Sequence, residues 1–82
     1  MMKKKVLTIT DVYVPVKRRQ TLDQQKVDSL AQDILAAGQT SPILVRPDGN
    51  RYVLVEGLHR LEACRALGET NIDVYLVQAR QH

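Results

Sequence analysis

The sequence predicts an α+β fold: a small mixed β-sheet with two helices packed on one of its faces, in the order β-α-β-β-α-β. Two stretches, at about 22–37 and 58–67, space their apolar residues as a helix does, and each stops at a glycine. Around them, short stretches alternate apolar with polar residues at the period of two that a half-buried strand requires. The 82 residues suffice for one domain, 1–82, with 1–5 as a basic tail. A domain of this size buries roughly 60–65% of the surface its unfolded chain exposes, so stability is modest and no large cavity fits inside.

Residues 6–9 read as an extended piece ahead of the first clear strand, in which Val12, Val14 and Val16 alternate with Tyr13 and Pro15. Proline donates no ladder hydrogen bond, so Pro15 belongs at an edge or a strand end. Thr21, with Gln24 three residues on, forms a capping box for the first helix, whose apolar stripe is Val27, Leu30, Ala31, Ile34 and Leu35. Lys26, Asp28, Ser29, Gln32 and Asp33 take the opposite side, and Gly38 ends the helix. "GQTSP" is then a loop, "PILVR" a strand, "PDGN" a tight turn and "RYVLVE" a second strand, which together make an antiparallel hairpin. The second helix stops at Gly68, after which Ile72, Val74 and Leu76 alternate with Asp73 and Tyr75 in a final strand.

Composition excludes several classes. Hydrophobic content of 44% with 26% charge suits a soluble globular chain, and no apolar run approaches the roughly 18 residues of a membrane span. No membrane partner is expected. The opening "MMKKKVLTIT" has too short an apolar run, and no small-residue cleavage site, for a signal peptide. A single cysteine forms no internal disulfide, which fits a reducing cytoplasm, and no metal-ligand spacing is present. The net charge of +3 resides in the tail: setting aside Lys3, Lys4 and Lys5 leaves nine basic residues against nine acidic ones. Such a tail is expected to be a solvated, frayed end in preference to an arm laid on a phosphate backbone.

The stretch "VEGLHRLEACRALG" carries the chemistry. A strand meets Gly57 and turns at once into a helix, so amides without intrahelical acceptors gather at the positive end of a helix dipole, where an anion is held. Glycine lets that anion approach the backbone. At 100° per residue, Leu61, Ala63, Cys64 and Leu67 share a buried arc into which Arg60 also falls. Helical side chains lean toward the N-terminus, so Arg60 escapes the core by pointing back over the first turn. Two readings remain open: Arg60 serves the anion, joined by Arg18 and Arg19, or it pairs with an acid such as Glu56 or Asp23 while Lys17, Arg18 and Arg19 form a solvated loop. A helix end contributes about 0.3–2 kcal/mol to anion binding, against about 8 kcal/mol for micromolar affinity, so charge-assisted bonds of about 1.5–3 kcal/mol each must supply much of the rest.

Three segments, "VPVKRR", "LAQDILAAGQTSPILVR" and "VEGLHRLEACRALGETNIDVYLV", resemble the ParB/sulfiredoxin superfamily, closest to the N-terminal domain of ParB partition proteins, also labelled the ParB-like nuclease domain. The resemblance spans residues 12–77. It implies a nucleotide cofactor, CTP, ATP or ADP, with or without Mg2+, its phosphates lined by Gly57, Leu58, His59 and Arg60. By the same resemblance the loop Gly38, Gln39, Thr40 and Ser41 contacts the nucleotide, and Arg18 and Arg19 are the basic residues before the first helix. It also implies an accessory part in plasmid, chromosome or phage DNA maintenance, with DNA or a larger DNA-binding protein as partner. The separate DNA-reading and dimerisation domains of ParB proteins have no counterpart in these residues, so sequence-specific DNA reading is not expected from them, and the oligomeric state is left open.

The ParB box reads glycine-glutamate-arginine-arginine, from which Leu58 and His59 depart. In sulfiredoxins a cysteine follows the glycine. Leu58 stands there in this chain and Cys64 is nearly two turns on, so sulfiredoxin activity is not expected. Free-serine kinases of the superfamily read glycine-histidine-histidine-arginine after an acid, which makes Glu56 a candidate catalytic residue and a serine-type kinase an alternative function. A DNA-associated nuclease is a further alternative, although Glu56, Glu62 and Asp73 lack metal-binding spacing. A lone histidine on a helix is commonly a surface or capping residue, and nothing in the sequence pairs His59 into a triad.

Overall fold

The computed structural model describes residues 3–38 and 41–77. These form five strands, β1 (Lys3–Thr8), β2 (Val12–Tyr13), β3 (Ile43–Asp48), β4 (Arg51–Glu56) and β5 (Asn71–Leu76), in one sheet ordered β1-β5-β3-β4-β2. β1 with β5 and β3 with β4 are antiparallel, whereas β3 with β5 and β2 with β4 are parallel. The helices are α1 (Val16–Arg19), α2 (Gln24–Ala37) and α3 (Leu58–Ala66), and a 3-10 turn (Ile9–Asp11) joins β1 to β2. Parallel strands need a crossover, and α3 is the one that returns the chain from the hairpin to lie beside β3.

The core takes alternate residues from the sheet, Leu7, Ile43, Val45, Leu54, Ile72 and Val74, and closes them with Val27 and Ile34 of α2 and Leu58, Leu61, Ala63 and Cys64 of α3. Full burial of a side chain such as Leu61 contributes about 1.5–3 kcal/mol. Val53 is buried yet lies outside this cluster, as its neighbour Leu54 points the other way, so the helices pack on the Leu54 face of the sheet. The mixed α+β sheet with helices on one face is therefore the architecture the sequence predicts.

Several expectations change in detail. Residues 3–5 are not a frayed tail: Lys3, Lys4 and Lys5 pair in register with Leu76, Tyr75 and Val74, and of the extended piece expected at 6–9 residues 6–8 finish that edge strand while Ile9 opens the 3-10 turn. The first expected strand shrinks to Val12–Tyr13, and Lys17, Arg18 and Arg19 sit in the short helix α1, led by Pro15, rather than in a loop. The capping box gives way to Asp23, whose carboxylate accepts from the Gln25 amide at 3.0 Å, while the Thr21 hydroxyl donates to the Arg18 carbonyl at 2.7 Å. With Asp23 as cap, α2 starts at Gln24 rather than near 22. Leu35, placed on the apolar stripe by spacing, is 74% exposed, and Val27 and Ile34 are the residues of α2 that are buried.

Candidate functional site

α3 begins where β4 ends. Gly57, its N-cap, has φ +111° and ψ 31°, and a Cβ there would lie 2.6 Å from Ile43 Cγ2 and 2.9 Å from Ile43 Cβ. The glycine is thus required by backbone conformation and by close packing on β3, a reason different from the anion approach inferred from sequence. The first α3 amide with an intrahelical acceptor is that of Leu61, bonded to Gly57 O at 2.9 Å. Among the described residues the amides of Leu58, His59 and Arg60 have no such acceptor, which leaves three donors at the positive end of the helix.

The three box side chains leave α3 in different directions. Leu58 is 7% exposed and belongs to the core, so only its backbone amide is available to a ligand. Its other neighbours, Arg19, Leu22, Glu62 and Arg65, line a groove of about 340 Å3 on the α1 side. His59 turns toward α2: its Nε2 accepts a hydrogen bond from the Asp23 backbone N–H at 3.0 Å. A neutral ring accepting at Nε2 carries its proton on Nδ1, which stays available as a donor. This contact brings the N-termini of α2 and α3 together beside a groove of about 540 Å3 lined by Asp23, Gln25, Lys26, Ser29, Leu30, Asp33 and His59.

Arg60 is partly buried, and among the described residues its guanidinium has no ion pair and no hydrogen bond. Neither Glu56 nor Asp23, the acids weighed as its partners, reaches it. Glu56 is exposed at the end of β4, and Asp23 is committed to capping α2. Arg60 lies on the Cys64 side of α3, one turn from that thiol. Burial pushes the Cys64 thiol above its ordinary value of 9.0, and the Arg60 charge pulls the other way. Cys64 is 1% exposed, a small apolar side chain in practice. On this same side Gly38 approaches α3, sharing with Ile34, Leu35, Cys64, Leu67 and Glu69 a hollow of about 220 Å3.

The structure therefore brings Gly38 and Arg60 to one side of α3, and Arg19 to another. Arg18 and Arg19 are exposed on α1. Ser41 is exposed and has a partner, whereas Gln39 and Thr40 lie outside the described residues. Lys26 and Asp23 flank the site without having been singled out as ligand residues. Their only sequence signal was position in the first turn of an amphipathic helix. No group of three metal-ligating side chains is found among the described residues, and no helix among them is long and apolar enough to cross a membrane.

A mixed sheet with helices on one face and a glycine-led helix N-terminus at the end of a hairpin defines the ParB/sulfiredoxin fold. The solved sulfiredoxin of Arabidopsis thaliana matches with a TM-score of 0.83 at 28% identity, covering 94% of this chain and 86% of that one. The C-terminally truncated chromosome-partitioning protein ParB of Caulobacter crescentus, complexed with CTP-gamma-S, matches with a TM-score of 0.81 at 23% identity, covering 96% and 46%. The probable chromosome-partitioning protein ParB of Campylobacter jejuni is 36% identical over 62 residues, 76% of this chain and 22% of that protein. The family model for the ParB N-terminal domain matches residues 3–82, and this chain belongs to that family. It spans 22% of the length of the curated relatives it matches.

Proposed function

We propose that this chain is a nucleotide-binding module of ParB type that holds the phosphates of CTP, ATP or ADP at the N-terminus of α3, as an accessory in cytoplasmic DNA maintenance. The observation that carries the reading is Arg60, a partly buried guanidinium without a carboxylate among the described residues, on a helix whose first three amides lack intrahelical acceptors. A half-buried guanidinium with no carboxylate beside it leaves its donors free for an anion, and a charge-assisted bond to a phosphate uses them. The Caulobacter relative complexed with CTP-gamma-S supports the same ligand class.

In this reading the amides of Leu58, His59 and Arg60 donate to phosphate oxygens, the Arg60 guanidinium neutralises them, and the His59 Nδ1–H adds a neutral donor. Arg18 and Arg19 approach from α1, and Gly38 lies on the Arg60 side of α3. Mg2+, where required, enters with the phosphates. Isothermal titration calorimetry with CTP, ATP and ADP, with and without Mg2+, tests the proposal. Arg60→Ala is expected to weaken binding by about 1.5–3 kcal/mol without unfolding the domain. Equal affinity in variant and parent, or no heat with any nucleotide, refutes it.

A further inference from the structure

The strand β1 presents a free edge of unusual composition. Among the described residues β1 has one neighbour, β5, so its outer row of backbone N–H and C=O groups is unpaired, over six residues against two for β2 at the opposite edge. Lys3, Lys4 and Lys5 are exposed, and their cross-strand partners are Leu76, Tyr75 and Val74, so no carboxylate across the ladder neutralises them. No lysine among them has an ion pair within the described residues; the Lys5 ammonium instead lies 3.4 Å from the Tyr52 hydroxyl and 5.7 Å from the ring centroid. Val6, next along the edge, is 58% exposed.

We infer that the β1 edge is a docking site for an acidic, extended segment of a partner protein, which adds a strand to the sheet outside β1. Two features favour this occupant. The edge offers unpaired backbone groups in ladder spacing, which an extended peptide satisfies and a nucleic acid does not. Lys3 and Lys4 stand on opposite faces of the sheet, while the Lys5 ammonium reaches inward to Tyr52 of β4, so the two outermost cations match a strand whose own side chains alternate; a phosphate backbone gripped from one side would use one face only. A second copy of this chain is a poorer occupant, since it would bring three more lysines into the same short ladder.

The test titrates the 82-residue chain into a fluorescein-labelled peptide of alternating glutamate and valine, followed by anisotropy. The same peptide N-methylated at alternate backbone nitrogens keeps every charge but cannot complete a ladder. Labelled single-stranded oligothymidylate offers phosphates without a strand. The expected result is saturable binding of the acidic peptide, weakened about tenfold or more by N-methylation and about tenfold by joint Lys3→Gln, Lys4→Gln and Lys5→Gln substitution. Circular dichroism melting checks the triple variant, and Lys4→Gln alone, expected to weaken binding about twofold, serves if the triple does not fold. The inference is overturned by no binding of the acidic peptide, by equal binding of the N-methylated form, by tighter binding of oligothymidylate, or by a dimer in sedimentation velocity that the lysine substitutions abolish.

Discussion

Replacing Gly57 by alanine separates the two roles a glycine can have at the head of α3. An L-residue at φ +111° is strained by about 1–2 kcal/mol. The new methyl also meets Ile43 Cγ2 at 2.6 Å and Ile43 Cβ at 2.9 Å, distances at which β3 or α3 must shift, and overpacking of this kind costs about 1–3 kcal/mol. Together Gly57→Ala is expected to destabilise the fold by about 2–5 kcal/mol, a large part of the stability of so small a domain. Gly68→Ala is the control: φ there is also positive, at +80°, but nothing lies within 4 Å of the added methyl, so only the backbone strain remains. Urea denaturation followed by far-ultraviolet circular dichroism reads both, with an unchanged m-value showing that stability rather than compactness has moved. Ile43→Leu, which removes the Cγ2 branch, is expected to recover part of the Gly57→Ala loss. If Gly57→Ala costs no more than Gly68→Ala, the close approach to β3 is not what fixes this glycine. The outcome also governs how binding data are read, because lost affinity in an unfolded Gly57→Ala variant says nothing about phosphate contact.

Two further outcomes are expected. His59→Ala removes the acceptor for the Asp23 amide and is expected to cost about 0.5–1.5 kcal/mol, toward the lower end because Asp23 is exposed and water can replace the ring; His59→Gln, whose side-chain oxygen can accept that bond, is expected to recover part of it, and equal urea midpoints for all three proteins would refute a structural role for the contact. For Cys64 the folded thiol is raised above its ordinary 9.0 by burial, so the stability it contributes is present below about pH 9 and is lost as pH climbs toward the raised value. The parent is therefore expected to lose more stability between about pH 8 and about pH 10 than Cys64→Ala does, with parallel profiles as the refuting result, and the native thiol to react slowly with a disulfide reagent at neutral pH.

Much of the fold was legible because it rests on local periodicity. The 3.6-residue spacing of Val27, Leu30, Ala31 and Ile34 located α2, the period of two located β5, and "PDGN" between two apolar runs marked the hairpin of β3 and β4, whose register pairs Asp48 with Arg51. The first 23 residues were read less well for a physical reason. Lys3, Lys4 and Lys5 have no apolar alternation to announce a strand; it is the pairing with Leu76, Tyr75 and Val74 at the far end of the chain that makes them one. Likewise α1 is four residues long, too short for a periodic signal.

At the candidate site the same division holds. The sequence by itself determined that a strand would run through a glycine into a helix with His59 and Arg60 on its first turn, since the apolar run after the turn, the glycine and the helix period are adjacent in the chain. Tertiary structure alone decided what those residues face. Ile43 sets the need for glycine at 57, the Asp23 amide, 36 residues away, takes His59 Nε2, the core takes Leu58, and no described carboxylate reaches Arg60. Contacts between residues so far apart in the chain depend on strand order and helix placement, which short-range spacing of apolar residues does not encode.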